Sequence, residues 1–210
     1  MAYLGNQVAP LVQALEGKEL KLDSDGDSSI QASVDDTVVF KTNGSNRWTL
    51  NSSGNLFPAS TSQGIVLGAT SDTEANRLDE YEEGTHTITP NSNLTLNSSY
   101  NVFQYTKIGK SVTLSGFTKV SSVSGSDTVT MSIPFVVAAN PTNGIGSATS
   151  QVMHNGVNVG DAGLATFALG GRSYLNFYNL NDNAGWTGLS NSNLAANDEL
   201  YFTITYFTDS

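Results

Sequence analysis

The chain has no cysteine, few charged residues and no long apolar run. The absence of cysteine from its 210 residues excludes disulfide scaffolds, structural Cys-zinc sites and thiol catalysis. No segment approaches the roughly 18 consecutive apolar residues of a transmembrane helix, so we expect no membrane insertion. The first residues, MAYLGNQ, lack the basic start and apolar run of a secretory signal, so we expect no Sec-dependent export.

Basic residues are also scarce. Nine Lys and Arg stand against 19 Asp and Glu, which gives a formal net charge of -10. Because phosphate binding depends on clustered cations, nucleic acid and anionic membranes are disfavoured as partners. The two histidines, His86 and His154, are too far apart in sequence to form a metal-ligand motif, and no cofactor is predicted.

Small polar residues are abundant instead. The chain has 26 Ser, 22 Thr, 21 Asn and 20 Gly, together 42% of its residues. Ser, Asn and Gly are poor helix formers, and Thr suits a pleated surface. The composition therefore predicts an all-β protein.

The uneven charge indicates two parts. Residues 1–90 hold 13 acidic and 5 basic residues, whereas residues 91–210 hold 6 and 4. We therefore predict four segments along the chain. They are an N-terminal attachment segment (1–21), a β-rich stalk (22–76), an acidic elbow with one helical turn (77–90) and a β-sandwich head (91–210).

The N-terminal segment is the most aliphatic stretch with helix-compatible spacing. Leu11 and Leu15 could share one face of a helix, although Pro10 and Gly17 limit it to roughly two turns. So short a helix is marginal alone and needs a partner surface. Tyr3, Leu4, Leu11 and Leu15 are thus candidate docking residues, and the alternative is an arm packed on its own chain.

Residues 22–68 break into short β-like pieces separated by turn clusters rich in Asp, Asn and Gly. Each piece carries only two or three apolar residues, such as Val38 with Phe40 or Trp48 with Leu50. One copy can hardly bury enough surface to offset the backbone entropy, roughly 1 to 2 kcal/mol per residue. We therefore expect several chains to share an apolar axis.

The remaining residues alternate between apolar and polar positions over several runs. Val112 and Leu114 point one way in the run 111–120, and Leu200, Phe202 and Ile204 do so in the last run. Seven or eight strands in about 115 residues suit a sandwich or jelly roll.

Several of these segments resemble bacteriophage tail fibres, particularly those of marine and cyanobacterial phages. The resemblance is carried by DGDSSIQASVDDTVVF (25–40), GSNRWTLNSSGN (44–55), GIVLG (64–68), ANRLDEYEEGT (75–85) and YTKIGKSVTLSG (105–116). It covers residues 22–120, whereas the remainder matches only in general character. The chain is short for a whole long fibre, and we expect it to lack the self-cleaving chaperone domain that many fibres carry.

The resemblance implies a homotrimeric virion protein with a β stalk and a β-sandwich head. It would be assembled in the host cytoplasm with other phage virion proteins of the tail, baseplate or capsid. A short fibre, a fibre tip or a capsid-attached fibre fits the length better than a long fibre.

Asp23, Asp25 and Asp27 place carboxylates at alternate positions, as calcium ligands require. The EF-hand pattern fails, because Ser28 stands where Gly is needed and no Glu follows at position twelve. An acidic turn is favoured over a metal site.

The elbow acids Asp79, Glu80, Glu82 and Glu83 are poor candidates for glycosidase catalysis. That chemistry needs two carboxylates facing each other across a sugar, usually in a rigid cleft. A solvated hinge is the preferred interpretation, and no catalytic residue is predicted.

The best candidate contact surface is the Gly- and Asn-rich loop around Trp186. Sugar binding needs aromatic faces beside amide and carboxylate groups, and the loop supplies Tyr178, Asn181, Asp182 and Asn183 near that tryptophan. The alternative role for Trp186 is to anchor the loop to the head or to a neighbouring subunit.

Three functions follow from these observations. The first is a non-enzymatic homotrimeric short fibre that attaches to the particle by its N-terminus and contacts host polysaccharide by its head. The second is a capsid decoration, head-fibre or cement protein without receptor binding. The third, an enzyme acting on surface glycans, is least favoured because no catalytic pair is present.

Overall fold

The computed structural model describes residues 19–72, 76–78, 80–139, 148–159, 163–182 and 184–209. Its contacts divide the chain into two units, residues 1–79 and 80–210. The prediction of an all-β protein is confirmed, because the described residues form strands, turns and short 3-10 segments but no α-helix. The docking candidates Tyr3, Leu4, Leu11 and Leu15 lie outside the described residues, as does Asn183.

The first unit contains a five-stranded antiparallel meander and a small two-stranded ribbon. The meander strands are β1 (Glu19–Lys21), β2 (Ser29–Gln31), β3 (Val38–Thr42), β4 (Ser45–Leu50) and β5 (Leu56–Pro58). The ribbon strands are β6 (Ile65–Val66) and β7 (Arg77–Leu78). Neighbouring strands of the meander pair in sequence order, because short turns join each strand to the next.

The second unit contains one sheet of ten strands. The strands are β8 (Tyr81–Thr87), β9 (Leu94–Leu96), β10 (Val102–Ile108), β11 (Ser111–Val123), β12 (Thr130–Ser132), β13 (Ala148–Asn155), β14 (Leu164–Ala168), β15 (Tyr174–Asn179), β16 (Thr187–Gly188) and β17 (Glu199–Phe207). The order across the sheet is β12-β15-β14-β13-β17-β11-β10-β8, with β16 beside β15 and β9 beside β11.

This sheet curls into a half-barrel, so that its two edges approach each other. The chain just after β8 reaches β12, where Pro90 bridges to Met131. The amide of Ser132 donates to the carbonyl of Thr89 at 2.9 Å, and that of Asn91 donates to the carbonyl of Thr130 at 3.0 Å. A short ladder therefore joins the opposite edges of the sheet.

The concave side of the curled sheet holds the hydrophobic core. Alternation along each strand turns every second side chain inward, as in β15, where Leu175 and Phe177 are fully buried. Three rings meet at the centre, because Phe202 lies 5.0 Å from Phe103 and 5.5 Å from Phe177 between ring centroids. Buried Asn191, in the 3-10 turn Asn191–Asn193, donates to the carbonyls of Ser92 and Ser124 and fixes the surrounding loops.

Three details differ from the sequence-based expectation. The helical turn predicted in the acidic elbow is wrong, because Tyr81–Thr87 is the strand β8, paired with β10 over seven residues. The first meander strand starts at Glu19, within the segment assigned to attachment. In the second unit, a single curled sheet replaces the two separate sheets that a simple sandwich would have.

Candidate functional site

Trp186 lies on the rim of the curled sheet, immediately before β16. The loop that carries it begins where β15 ends, and β16 returns along β15 with Asn179 opposite Thr187. Because Phe177 and Asn179 of β15 point into the core, Tyr178 between them points outward. The strand and the returning loop thus place Tyr178 and Trp186 on the same outer surface.

Three aromatic rings form a cluster there. The ring centroid of Trp186 is 5.6 Å from that of Tyr178 and 6.1 Å from that of Phe167, and the last two are 6.1 Å apart. These separations are typical of favourable aromatic pairs. Trp186 nevertheless remains 64% exposed, so the two neighbours support the indole without covering it. We call Phe167, Tyr178 and Trp186 the aromatic cluster.

Phe167 was missed by sequence reasoning. It lies on β14, whose Leu164, Thr166 and Ala168 are buried on the inner face. The alternation of that strand was visible in the sequence and would have placed Phe167 outside, but the pairing of β14 with β15 was not. That pairing brings Phe167 beside Tyr178.

The polar residues of the loop differ in how free their side chains are to bind a ligand. The side-chain amide of Asn181 donates to the carbonyl of Gly185 at 2.7 Å and to the hydroxyl of Thr187 at 3.4 Å, so it closes the loop. Asp182 is exposed. Among the described residues of this loop, Asp182 is therefore a polar group open to a ligand, whereas Asn181 is first a structural residue.

Asp23, Asp25 and Asp27 come together as their spacing suggested. One carboxylate oxygen from each lies within 4.8 Å of the others. Asp23 Oδ1 accepts the amides of Gly26 at 3.0 Å and Ser28 at 3.1 Å. Hydrogen bonds from Ser28, with its side chain first and its backbone second, lower the pKa of Asp23 to about 2. These bonds are those of a closed acidic turn.

The described acids of the predicted elbow have individual partners. Glu80 accepts from the buried ammonium of Lys107, Glu82 accepts from the hydroxyl of Tyr105, and Glu83 accepts from that of Tyr81. The hydrogen bond to Glu82 is the main cause that raises the pKa of Tyr105. Since Glu82 and Glu83 are consecutive in a strand, they point to opposite faces and cannot flank one substrate.

Comparison of the chain with protein-family models, curated proteins and solved structures finds no match. Within the described part of the chain, no helix is long and apolar enough to cross a membrane.

Proposed function

We propose that the chain is a non-enzymatic subunit of a phage fibre whose head binds a host-surface polysaccharide. In this proposal the N-terminal segment attaches to other virion proteins, residues 22–76 form a trimeric β stalk, and the second unit is a jelly-roll-like head. The protein would reside in the virion after assembly in the host cytoplasm. The resemblance of residues 22–120 to fibre sequences supports this placement.

The aromatic cluster is the observation that carries the binding function. An exposed indole offers a flat apolar surface on which the C-H groups of a sugar ring can stack. Tyr178 and Phe167 already hold that indole in place, so little side-chain freedom is lost on binding. Asp182 supplies a hydrogen-bond acceptor from the same loop.

Trimerisation would strengthen such binding. A single exposed ring with few polar partners gives a weak site, whereas three linked sites act together through their effective concentration. Weak sites repeated on one particle suit a repetitive polymer such as a capsule or a lipopolysaccharide chain.

The binding function predicts that Trp186→Ala weakens glycan binding about tenfold, because it removes the exposed stacking surface. The ligand is first selected on an array of bacterial surface oligosaccharides, and affinity is then measured by calorimetry.

Tyr100→Ala is the matched control, because Tyr100 is also exposed but contacts Phe117 rather than the aromatic cluster. Its affinity should equal that of the unmodified chain. Equal affinities for Trp186→Ala and the unmodified chain would contradict the assigned surface. Binding to particles without any glycan binding, and with unchanged adsorption when free protein is added, would identify a capsid decoration or cement protein.

A further inference from the structure

One face of the five-stranded meander is apolar from edge to edge. The register places Leu20 opposite Ile30, Ile30 opposite Phe40, Phe40 opposite Trp48, and Trp48 opposite Pro58. Directly paired residues point to the same side of a sheet. These five side chains therefore form one continuous apolar row across all five strands.

A second row strengthens this face. Val38 pairs with Leu50, and Leu50 pairs with Leu56. These positions are two residues from Phe40, Trp48 and Pro58 along their strands, so they lie on the same side. We call the eight residues the apolar face. Its members are Leu20, Ile30, Val38, Phe40, Trp48, Leu50, Leu56 and Pro58.

The opposite face of the meander is mainly polar and internally bonded, although it also carries Val39 and Phe57, which both pair with Thr49. Lys41 Nζ lies 3.2 Å from Glu19 Oε1, and the hydroxyl of buried Ser29 also donates to Glu19. Lys21, Gln31 and Thr49 belong to the same side by register. The two faces thus differ as the inner and outer faces of a half-buried sheet do.

Among the residues that the structure describes, no core nevertheless lies beneath the apolar face. Among the described residues of the first unit, no apolar side chain is fully buried, whereas the buried apolar side chains of the described chain begin at Ile88. Phe40, on the central strand, is 40% exposed, and Leu56 is 57% exposed. A sheet with one apolar face needs a covering layer to be stable.

Area and charge both favour a second copy of the chain as that layer. The eight side chains together expose on the order of 500 Å² of surface. This approaches the roughly 800 Å² of surface that each partner buries in a standard interface. Leu22 and Val34, at the strand ends, are 60% and 63% exposed and add to it. Copies with a net charge of -10 repel one another, and none of the eight residues of this face is charged. Arg47, in the bulge of β4, lies at its border, where its Nε donates to the hydroxyl of Thr42 at 2.9 Å.

We propose that the apolar face is the surface through which copies of this chain associate, and that the meander is stable only when a second copy covers it. In a trimer, three such faces would surround a common axis. The inference deepens the proposed fibre by naming its assembly surface, and it is independent of whether the head binds a glycan.

Two phenylalanines on opposite faces of the same sheet provide the test. Phe40 lies on the apolar face and is 40% exposed, whereas Phe57 lies on the other face, opposite Thr49, and is 44% exposed. The mass of the full chain is measured by light scattering from about 1 to 100 µM. We expect a multiple of the 22.2 kDa chain for the unmodified protein and for Phe57→Gln. Phe40→Gln should raise the midpoint concentration of dissociation about 30-fold, as loss of a central anchor does.

Because Phe40→Gln could also unfold the meander, cysteine cross-linking provides a second, independent measurement of which face is close to another copy. The chain has no cysteine, so Phe40→Cys and Phe57→Cys each introduce a single thiol. A short bismaleimide should join copies of Phe40→Cys into covalent dimers and leave Phe57→Cys as single chains.

A monomeric unmodified chain over the whole concentration range would overturn the proposal, because the face would then be covered within one molecule. Equal dissociation of the two glutamine variants, or cross-linking through Phe57→Cys but not Phe40→Cys, would also overturn it. Trp186→Ala must keep the mass of the unmodified chain. Failure of the glycan proposal therefore leaves this result unchanged, and the reverse also holds.

Discussion

Gly116 lies on β11 directly beneath the ring of Phe103. A Cβ atom at this position would come within 2.7 Å of that ring, which is fully buried and also contacts Phe202. Because the ring has no free space into which it can move, the neighbouring strand can carry only glycine here without strain.

Gly116→Ala should therefore lower the free energy of unfolding of the second unit by about 1 to 3 kcal/mol. Urea denaturation followed by near-ultraviolet circular dichroism measures the change. Gly185→Ala is the control, because a Cβ there would meet no atom within 4 Å and should change stability little. An unchanged urea midpoint for Gly116→Ala would mean that Phe103 can move aside.

The aromatic cluster shows which properties of single residues the sequence can predict and which it cannot. The sequence left open whether Trp186 forms a contact surface or anchors its loop, and the structure shows an indole that packs on Tyr178 and Phe167 and stays 64% exposed. The role of Asn181 could not be predicted, because its amide bonds to Gly185 and Thr187 depend on how the loop closes. The contact of Phe167 with Tyr178 could not be predicted either, because it depends on the pairing of β14 with β15 and not on closeness in sequence.

At the scale of elements, β8 shows how tertiary pairing overrides local composition. Its sequence, YEEGTHT, is acidic and contains glycine, which is typical of a loop. Seven register pairs with β10 make it a strand, and Gly84 leaves room for the Tyr105 ring opposite. The alternation of Gly84, His86 and Ile88 on the inner face was the available signal.

β8 also connects to the far edge of the sheet through His86, whose Nε2 lies 2.9 Å from the Ser132 hydroxyl of β12. Partial burial is the main cause that lowers the pKa of His86 below its usual 6.5. The unfolded chain therefore binds this proton first as pH falls. The contribution of neutral His86 to stability is complete above about pH 6.5 and is lost as pH falls through the lower folded-state pKa.

We expect the urea midpoint of the second unit to fall between pH 7.5 and 5.0, and to fall less in His86→Gln. This window lies above the titration of Glu199, whose pKa is lowered by its bonds to Tyr201, Lys119 and Asn155. An equal fall in both proteins would assign the effect to other groups.

In the second unit, seven of the ten strands could be predicted, since β10, β11, β12, β13, β14, β15 and β17 each overlap a run of residues with strand-like alternation. The short strands β5 and β7 could not, because two or three residues carry too little periodicity. The order of strands could not be predicted either. The alternation of apolar and polar residues in β17 predicts a strand but does not indicate that it lies between β11 and β13.

At the scale of the whole molecule, the two units bury their apolar residues differently. The second unit holds a closed core centred on Phe103, Phe177 and Phe202, whereas the described residues of the first unit hold none. A unit with its own core unfolds independently of protein concentration, but one stabilised by association does not.

Heating should therefore produce two transitions. The midpoint of the first unit, followed by Trp48 fluorescence in a Trp186→Phe background, should rise with protein concentration. The midpoint of the second unit, followed by Trp186 in a Trp48→Phe background, should stay constant. A single transition that depends on concentration would show instead that the second unit also requires assembly to fold.

The position of β17 in the sheet has a consequence for biosynthesis. Residues 199–207 form β17, which lies in the interior of the sheet beside β11. The ribosome begins to make β17 only 76 residues after the end of β11, so β11 lacks this neighbour until then. At about 5 to 20 residues per second, that delay is roughly 4 to 15 seconds. During it, β11 presents an unpaired edge beside a partly formed core, whereas each meander strand meets its neighbour within a few residues. The second unit is therefore the part of a nascent chain most exposed to mispairing and to chaperones that bind unfinished sheets.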